Sequence, residues 1–191
     1  MYRVISLSLD AAVGTLVLTP VFFLLGRRRH QDTGLTVQYL LFAVYLCGVY
    51  AAAGLPGFHR VTYRPRVNLS FFAYMFSDYR SSLLNVLFFL PLGFFLPMLW
   101  RRFRQPLRTL LFGLGASAFV ELFQLLTPRA TDVNDLMTNT AGTLAGYVLA
   151  IFVQWLSPSM IPDNDSRDVY WICGLAVATM FLVHPLITML L

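Results

Sequence analysis

The sequence predicts an all-α, polytopic transmembrane helical bundle of about six spans, with an interfacial or re-entrant segment before the third. Three observations predict it. Only 12% of the 191 residues are charged while 58% are hydrophobic, and the mean hydropathy is +0.67. A soluble domain carries roughly 25% charged residues because its surface faces water, so half that leaves too little charge to cover a globule. The apolar residues also gather into long runs separated by short Arg clusters. The length suits one membrane domain, residues 1–191, with no room for a separate soluble domain.

A spanning helix needs about 20 mostly apolar residues to cross roughly 30 Å of hydrocarbon. Val4–Leu25 is the first such run, closed by Arg27, Arg28 and Arg29. It is too long for a signal-peptide core and no A-x-A-like site follows, so it reads as a helix. Thr36–Ala53 is the second run. Leu83–Trp100 is the third, with Pro91 and Pro97 expected to kink it and open space at its outer half. Arg108–Leu126 is the fourth, Leu136–Leu156 the fifth and Val169–Leu191 the sixth. Between the second and third, Leu55–Ser82 holds the aromatic patch Phe71–Phe76, too short to span. It fits an interfacial or re-entrant segment with Tyr and Arg at headgroup level.

All 14 basic residues are Arg, and the pI is near 9.6. The Arg sit in short clusters between apolar runs, a pattern that points to membrane lipid or a lipid-linked envelope precursor, and not to nucleic acid. Six spans place Arg27–Arg29, the Arg101–Arg108 cluster and Arg167 on one side. The positive-inside rule makes that side cytoplasmic. The N- and C-termini, Leu55–Ser82 and Thr127–Asp135 then face outward. Cys47 and Cys173 lie within apolar runs without CxxC spacing, so they read as small buried hydrophobes. His30, His59 and His184 are too scattered for a metal site. Asp10, in the first run, either pairs across the bundle or is solvated near the interface.

Chemistry concentrates elsewhere. Glu121 is the only Glu and falls near the end of the fourth run. An ionisable group inside a span costs at least a few kcal/mol unless paired, which marks it as functional by default. Ser117, Glu121 and Gln124, at i, i+4 and i+7, share a helix face. So do Asp132, Asp135 and Asn139, and that face continues to Gly142 and Gly146, a GxxxG-like pair that admits a close helix neighbour. Asn85, near the outer end of the antiparallel third run, reaches the same depth as Glu121, Gln124 and Arg129. Arg129 suits a bidentate hold on a carboxylate or phosphate. Glu121, Asp132 and Asp135 are the candidate catalytic acids, and together they would admit a divalent cation. No other cofactor is called for. A structural alternative stands beside this: Asp132 caps the fifth helix with Asp135 at its positive end, and Glu121 pairs with Arg129 to lock the packing.

The stretch Asn85-Val86-Leu87-Phe88-Phe89-Leu90-Pro91-Leu92-Gly93, then Ser117, Glu121 and Gln124, then Arg129, Asp132, Asp135, Asn139, Thr140 and Gly142, resembles the VanZ-like family of bacterial membrane proteins. Upstream, Val67-Asn68-Leu69 and Phe72 extend the resemblance, giving a core from Asn68 to Tyr147. Phe71 stands where the family usually has Pro. The resemblance implies a cell-envelope membrane protein associated with sensitivity to glycopeptide antibiotics such as teicoplanin, without implying a reaction. It adds Asn68 to the ligand-binding candidates. Phosphatases with a catalytic His pair and alcohol phosphotransferases with a multi-Asp signature find no match. Four functions stay open: binding a lipid-linked envelope component, metal-assisted chemistry on a lipid phosphate, transport gated by Glu121, and assembly.

Overall fold

A computed structural model describes residues 2–28, 32–63, 66–68, 70, 79–128, 130–162, 164, 167–183 and 185–186, with the backbone alone for 2–11 and 60. The chain forms two compact units, Met1–Thr62 with Arg167–Leu191, and Tyr63–Ser166.

The first unit holds α1 (Tyr2–Arg28), α2 (Thr33–Ala52) and α6 (Asp168–Ala178). Asp32 starts α2 by accepting from the backbone N–H of Gly34 at 2.9 Å, which satisfies one of the orphan donors of a helix start. Gly54, at φ 64°, turns the chain just beyond its end. Close approach of α1 to α2 depends on Gly14 facing Cys47 and Gly26 facing Thr36. At the head of α6, Asp168 accepts from Trp171 Nε1 at 2.8 Å and from the Tyr39 hydroxyl at 3.4 Å. Beyond α6, Thr179–Val183 widens into a π turn. Pro185 follows it and has no N–H to return to the preceding turn.

The second unit contains α3 (Tyr79–Leu99), α4 (Pro106–Gln124) and α5 (Val133–Leu156). It also has two short strands, β1 (Val67–Asn68) and β2 (Thr131–Asp132), paired in parallel with Val67 opposite Thr131 and Asn68 opposite Asp132. The most intimate helix pair is α3 with α5. A Cβ on Gly146 would meet the Leu90 carbonyl, one on Gly142 the Val86 carbonyl, and one on Gly93 the Thr143 carbonyl. Only hydrogen on these Cα atoms lets two backbones lie so close, the packing that lipid favours where apolar side chains offer no driving force.

Among the described residues, four helices are long and apolar enough to cross a membrane: Thr33–Ala52, Tyr79–Leu99, Pro106–Gln124 and Val133–Leu156. At most a third of the residues in each apolar stretch are buried. Leu84 and Leu87 of α3, Leu111 and Leu122 of α4, and Val148 and Phe152 of α5 are all exposed. Meanwhile Thr109, Ser117, Glu121, Asn139, Thr143 and Gln154 are buried. Apolar outside and polar within is the reverse of a water-soluble helix, and only hydrocarbon makes such an outer face stable. The chain is therefore a helical membrane protein.

Six spans were expected, and four meet the criterion of length and composition. Of the other two runs, α1 is a 27-residue helix, about 40 Å at 1.5 Å per residue. The sixth run gives the shorter apolar helix Asp168–Val183. α3 runs unbroken through Pro91 and Pro97. Gln154 of α5 donates Nε2 to the Pro97 carbonyl at 2.8 Å and accepts from Arg104 Nε at 3.1 Å, satisfying one of the bare carbonyls that end α3. The segment before α3 has a 3-10 turn at Phe58–Arg60 and strand β1. The aromatic patch Phe71–Phe76 expected to be interfacial lies outside the described residues, as do Leu69, His30 and His184 and the side chain of Asp10.

Candidate functional site

Polar groups gather where α3 and α5 begin and α4 ends. The β1–β2 pair closes this end. The backbone N–H of Thr131 donates to the Arg66 carbonyl at 2.8 Å, and Asn68 Nδ2 donates to Asp132 Oδ2 at 3.0 Å. Asp132 is at once the last strand residue and the N-cap of α5. Its Oδ1 accepts from the Asn134 backbone N–H at 2.9 Å and from Asn134 Nδ2 at 2.8 Å. The same amide nitrogen donates to the Ser70 carbonyl at 3.0 Å, tying the α5 start to the chain beyond β1.

Glu121 reaches this layer from α4. It is only 6% exposed, and its Oε2 accepts from the Asp132 backbone N–H at 2.9 Å. Its carbonyl, in the last turn of α4, accepts from the Thr131 hydroxyl at 2.9 Å. Both ends of the residue thus hold β2 against α4. From α3, Asn85 donates Nδ2 to Asp135 Oδ1 at 2.8 Å and to the Thr138 hydroxyl at 3.4 Å. Asp135 lies in the first turn of α5, where the helix dipole favours negative charge. One turn deeper, Asn139 donates Nδ2 to the Ser117 hydroxyl at 2.9 Å.

Four pairs drawn from the sequence candidates are therefore in contact: Asn68 with Asp132, Glu121 with Asp132, Asn85 with Asp135, and Ser117 with Asn139. Gln124 is buried at the end of α4. Gly142 and Gly146 face α3. Arg129 lies outside the described residues. Among the described residues no three His, Cys, Asp or Glu side chains are grouped to hold a metal. Glu121 is bonded to the backbone N–H of Asp132, and Asp135 to an amide of α3. The capping role weighed for Asp132 is real.

Asn134, Thr138 and Thr131 belong to the layer, although spacing did not single them out as site residues. Asn134 and Thr138 form an i, i+4 pair beside Asp135 and Asn139, so a wider reading of that helix face would have included them. Thr131 is placed by strand pairing, which no spacing rule carries. Replacing Asp132 by Ala removes the cap and the Asn68 contact. Thermal unfolding in detergent is expected to reveal a loss of about 1–2 kcal/mol, and an unchanged midpoint would contradict that role.

These features define a helical membrane protein whose buried seam is polar and ends in a layer of acids and amides. The profile of the VanZ/LLP1 family matches residues 36–154, well over half of the chain, and the chain belongs to that family. The match begins upstream of Asn68 and runs past Tyr147, so it takes in most of α2 and most of the second unit. No curated protein and no solved structure matches the chain significantly.

Proposed function

We propose that the protein is a six-span component of the bacterial cytoplasmic membrane, in which α1 and Asp168–Val183 cross as well as the four longer apolar helices. Its acid-and-amide layer faces outward and binds the headgroup of an anionic, lipid-linked envelope component. Such binding alters how that component is displayed, and so bears on sensitivity to glycopeptides such as teicoplanin. The observation that carries this reading is convergence. Buried polar side chains from α4 and α5 meet half-buried ones from β1 and α3 at one end of an otherwise lipid-facing bundle, where each is costly unless partnered. The orientation rests on the Arg101–Arg108 cluster, which joins the far ends of α3 and α4 and anchors that side in the cytoplasm.

Native mass spectrometry of protein extracted in mild detergent tests the binding. Wild-type protein is expected to retain an anionic lipid-linked species, and Glu121→Gln to lose most of it at equal membrane yield. Cells expressing the two forms should differ in glycopeptide susceptibility in the same direction. Identical lipid retention and susceptibility in both would overturn the reading. A second reading, a polar lock between helices, draws on the hydrogen bonds these groups make with one another. It expects Glu121→Gln to alter thermal stability with no change in bound lipid.

A further inference from the structure

We propose that the Ser117–Asn139 pair forms the inner wall of this site and reads a hydroxyl group, so that the ligand's polar end is a polyol such as a glycerol or a sugar. The proposal rests on the headgroup reading above and narrows its chemistry. Asn139 is 4% exposed and Ser117 fully buried. The amide nitrogen of Asn139 is used on Ser117, while its Oδ1 is buried with no hydrogen-bond partner among the described residues. In hydrocarbon no bulk water reaches such an oxygen, and an unmet buried acceptor carries a penalty comparable to a lost hydrogen bond.

Position and chemistry agree. Ser117 is one helical turn from Glu121 on α4, and Asn139 one turn from Asp135 on α5. The pair thus lies in the α4–α5 seam about 5.4 Å beneath the acid layer. Asn139 Oδ1 needs a donor. The Ser117 hydroxyl, already accepting from Asn139, keeps its own proton to give. One hydroxyl group meets both needs, donating to the amide oxygen and accepting from the serine. A phosphate oxygen meets neither the acceptor at Asn139 nor the carboxyls of Glu121 and Asp135 above it. The amides of Asn68 and Asn134 are already committed to Asp132, and that of Asn85 to Asp135. Exposed Arg66 and Arg80 stand at the entry to β1 and in the first turn of α3, where a ligand phosphate outside the layer would find positive charge.

Two anionic lipids separate these demands. Phosphatidylglycerol carries free alcohol hydroxyls on its headgroup; phosphatidic acid carries no alcohol, and at alkaline pH its phosphate keeps no proton to donate. Full-length protein is equilibrated at alkaline pH with mixed vesicles containing equal amounts of the two, and the retained lipid is weighed by native mass spectrometry. Wild type is expected to retain phosphatidylglycerol about fivefold to tenfold over phosphatidic acid, the value of one net hydrogen bond. Asn139→Leu should bring the ratio close to one. Ser117→Ala, a change of a single oxygen that keeps the protein folded where Asn139→Leu fails to, should lower it in the same direction. Equal retention by wild type, or a ratio unchanged in both variants, overturns the hydroxyl seat while leaving headgroup binding standing. Retention of neither lipid overturns both.

Discussion

Replacing Gly146 by Ala is expected to lower the unfolding midpoint in detergent far more than a methyl added at an open position of the second unit. The new Cβ would meet the Leu90 carbonyl oxygen and come within 2.8 Å of the Phe94 nitrogen. Both are backbone atoms of α3, so no rotamer change relieves the clash and the helices must separate. Overpacking that side chains can absorb costs roughly 1–3 kcal/mol, so about 3 kcal/mol or more is expected here. Separation would also pull Gly142 from Val86 and Gly93 from Thr143, and carry Asn85 away from Asp135. Gly115→Ala is the control. A Cβ there meets nothing within 4 Å, so that variant should be neutral or slightly stabilising through helix propensity. Equal loss in both variants would show that the seam is not what holds α3 to α5.

How legible the seam was depends on which helix is considered. On α5 the Gly142–Gly146 spacing marks a close-packing face without any structure. On α3 the matching Gly93 sits alone in an apolar run, and nothing in the sequence says which turn of α5 it meets. Helix ends show a related effect. Apolar runs begin at Leu83, Arg108 and Leu136, yet the helices begin at Tyr79, Pro106 and Val133. Hydropathy locates the lipid-facing turns, whereas a helix starts at its cap, here Asp132 for α5. The β1–β2 pair left no trace, because two residues are too few for alternation to register.

The polar layer was readable in membership and opaque in wiring. Period 3.6 put Ser117, Glu121 and Gln124 on one face, and Asp132, Asp135 and Asn139 on another. It could not say that Glu121 would turn to a backbone N–H, because that contact spans 11 residues across the α4–α5 connection. On the sixth run, composition reads Val169–Leu191 as one span, and the described part of it is the shorter apolar helix Asp168–Val183, whose last turn widens at Thr179–Val183.

Glu121→Ala and Glu121→Gln are expected to part company, and the difference isolates what the side chain does. Alanine leaves the Asp132 N–H without its acceptor and opens a small void beneath it. An unmet buried donor costs about 1–3 kcal/mol, and with the lost packing the total should reach about 2–4 kcal/mol in chemical denaturation of detergent-solubilised protein. Glutamine has nearly the same volume and keeps an oxygen that can accept from the same N–H, so its cost should stay within about 1 kcal/mol. Two tethers survive in both variants because they use backbone oxygens, Thr131 hydroxyl to the Glu121 carbonyl and Thr131 N–H to the Arg66 carbonyl. β2 therefore stays in place, and the local change is confined to Asp132. Amide hydrogen exchange resolves it: the Asp132 N–H should lose protection with alanine and retain it with glutamine. Protection lost equally in both would mean that the negative charge of Glu121, and not its oxygen as an acceptor, holds the start of α5.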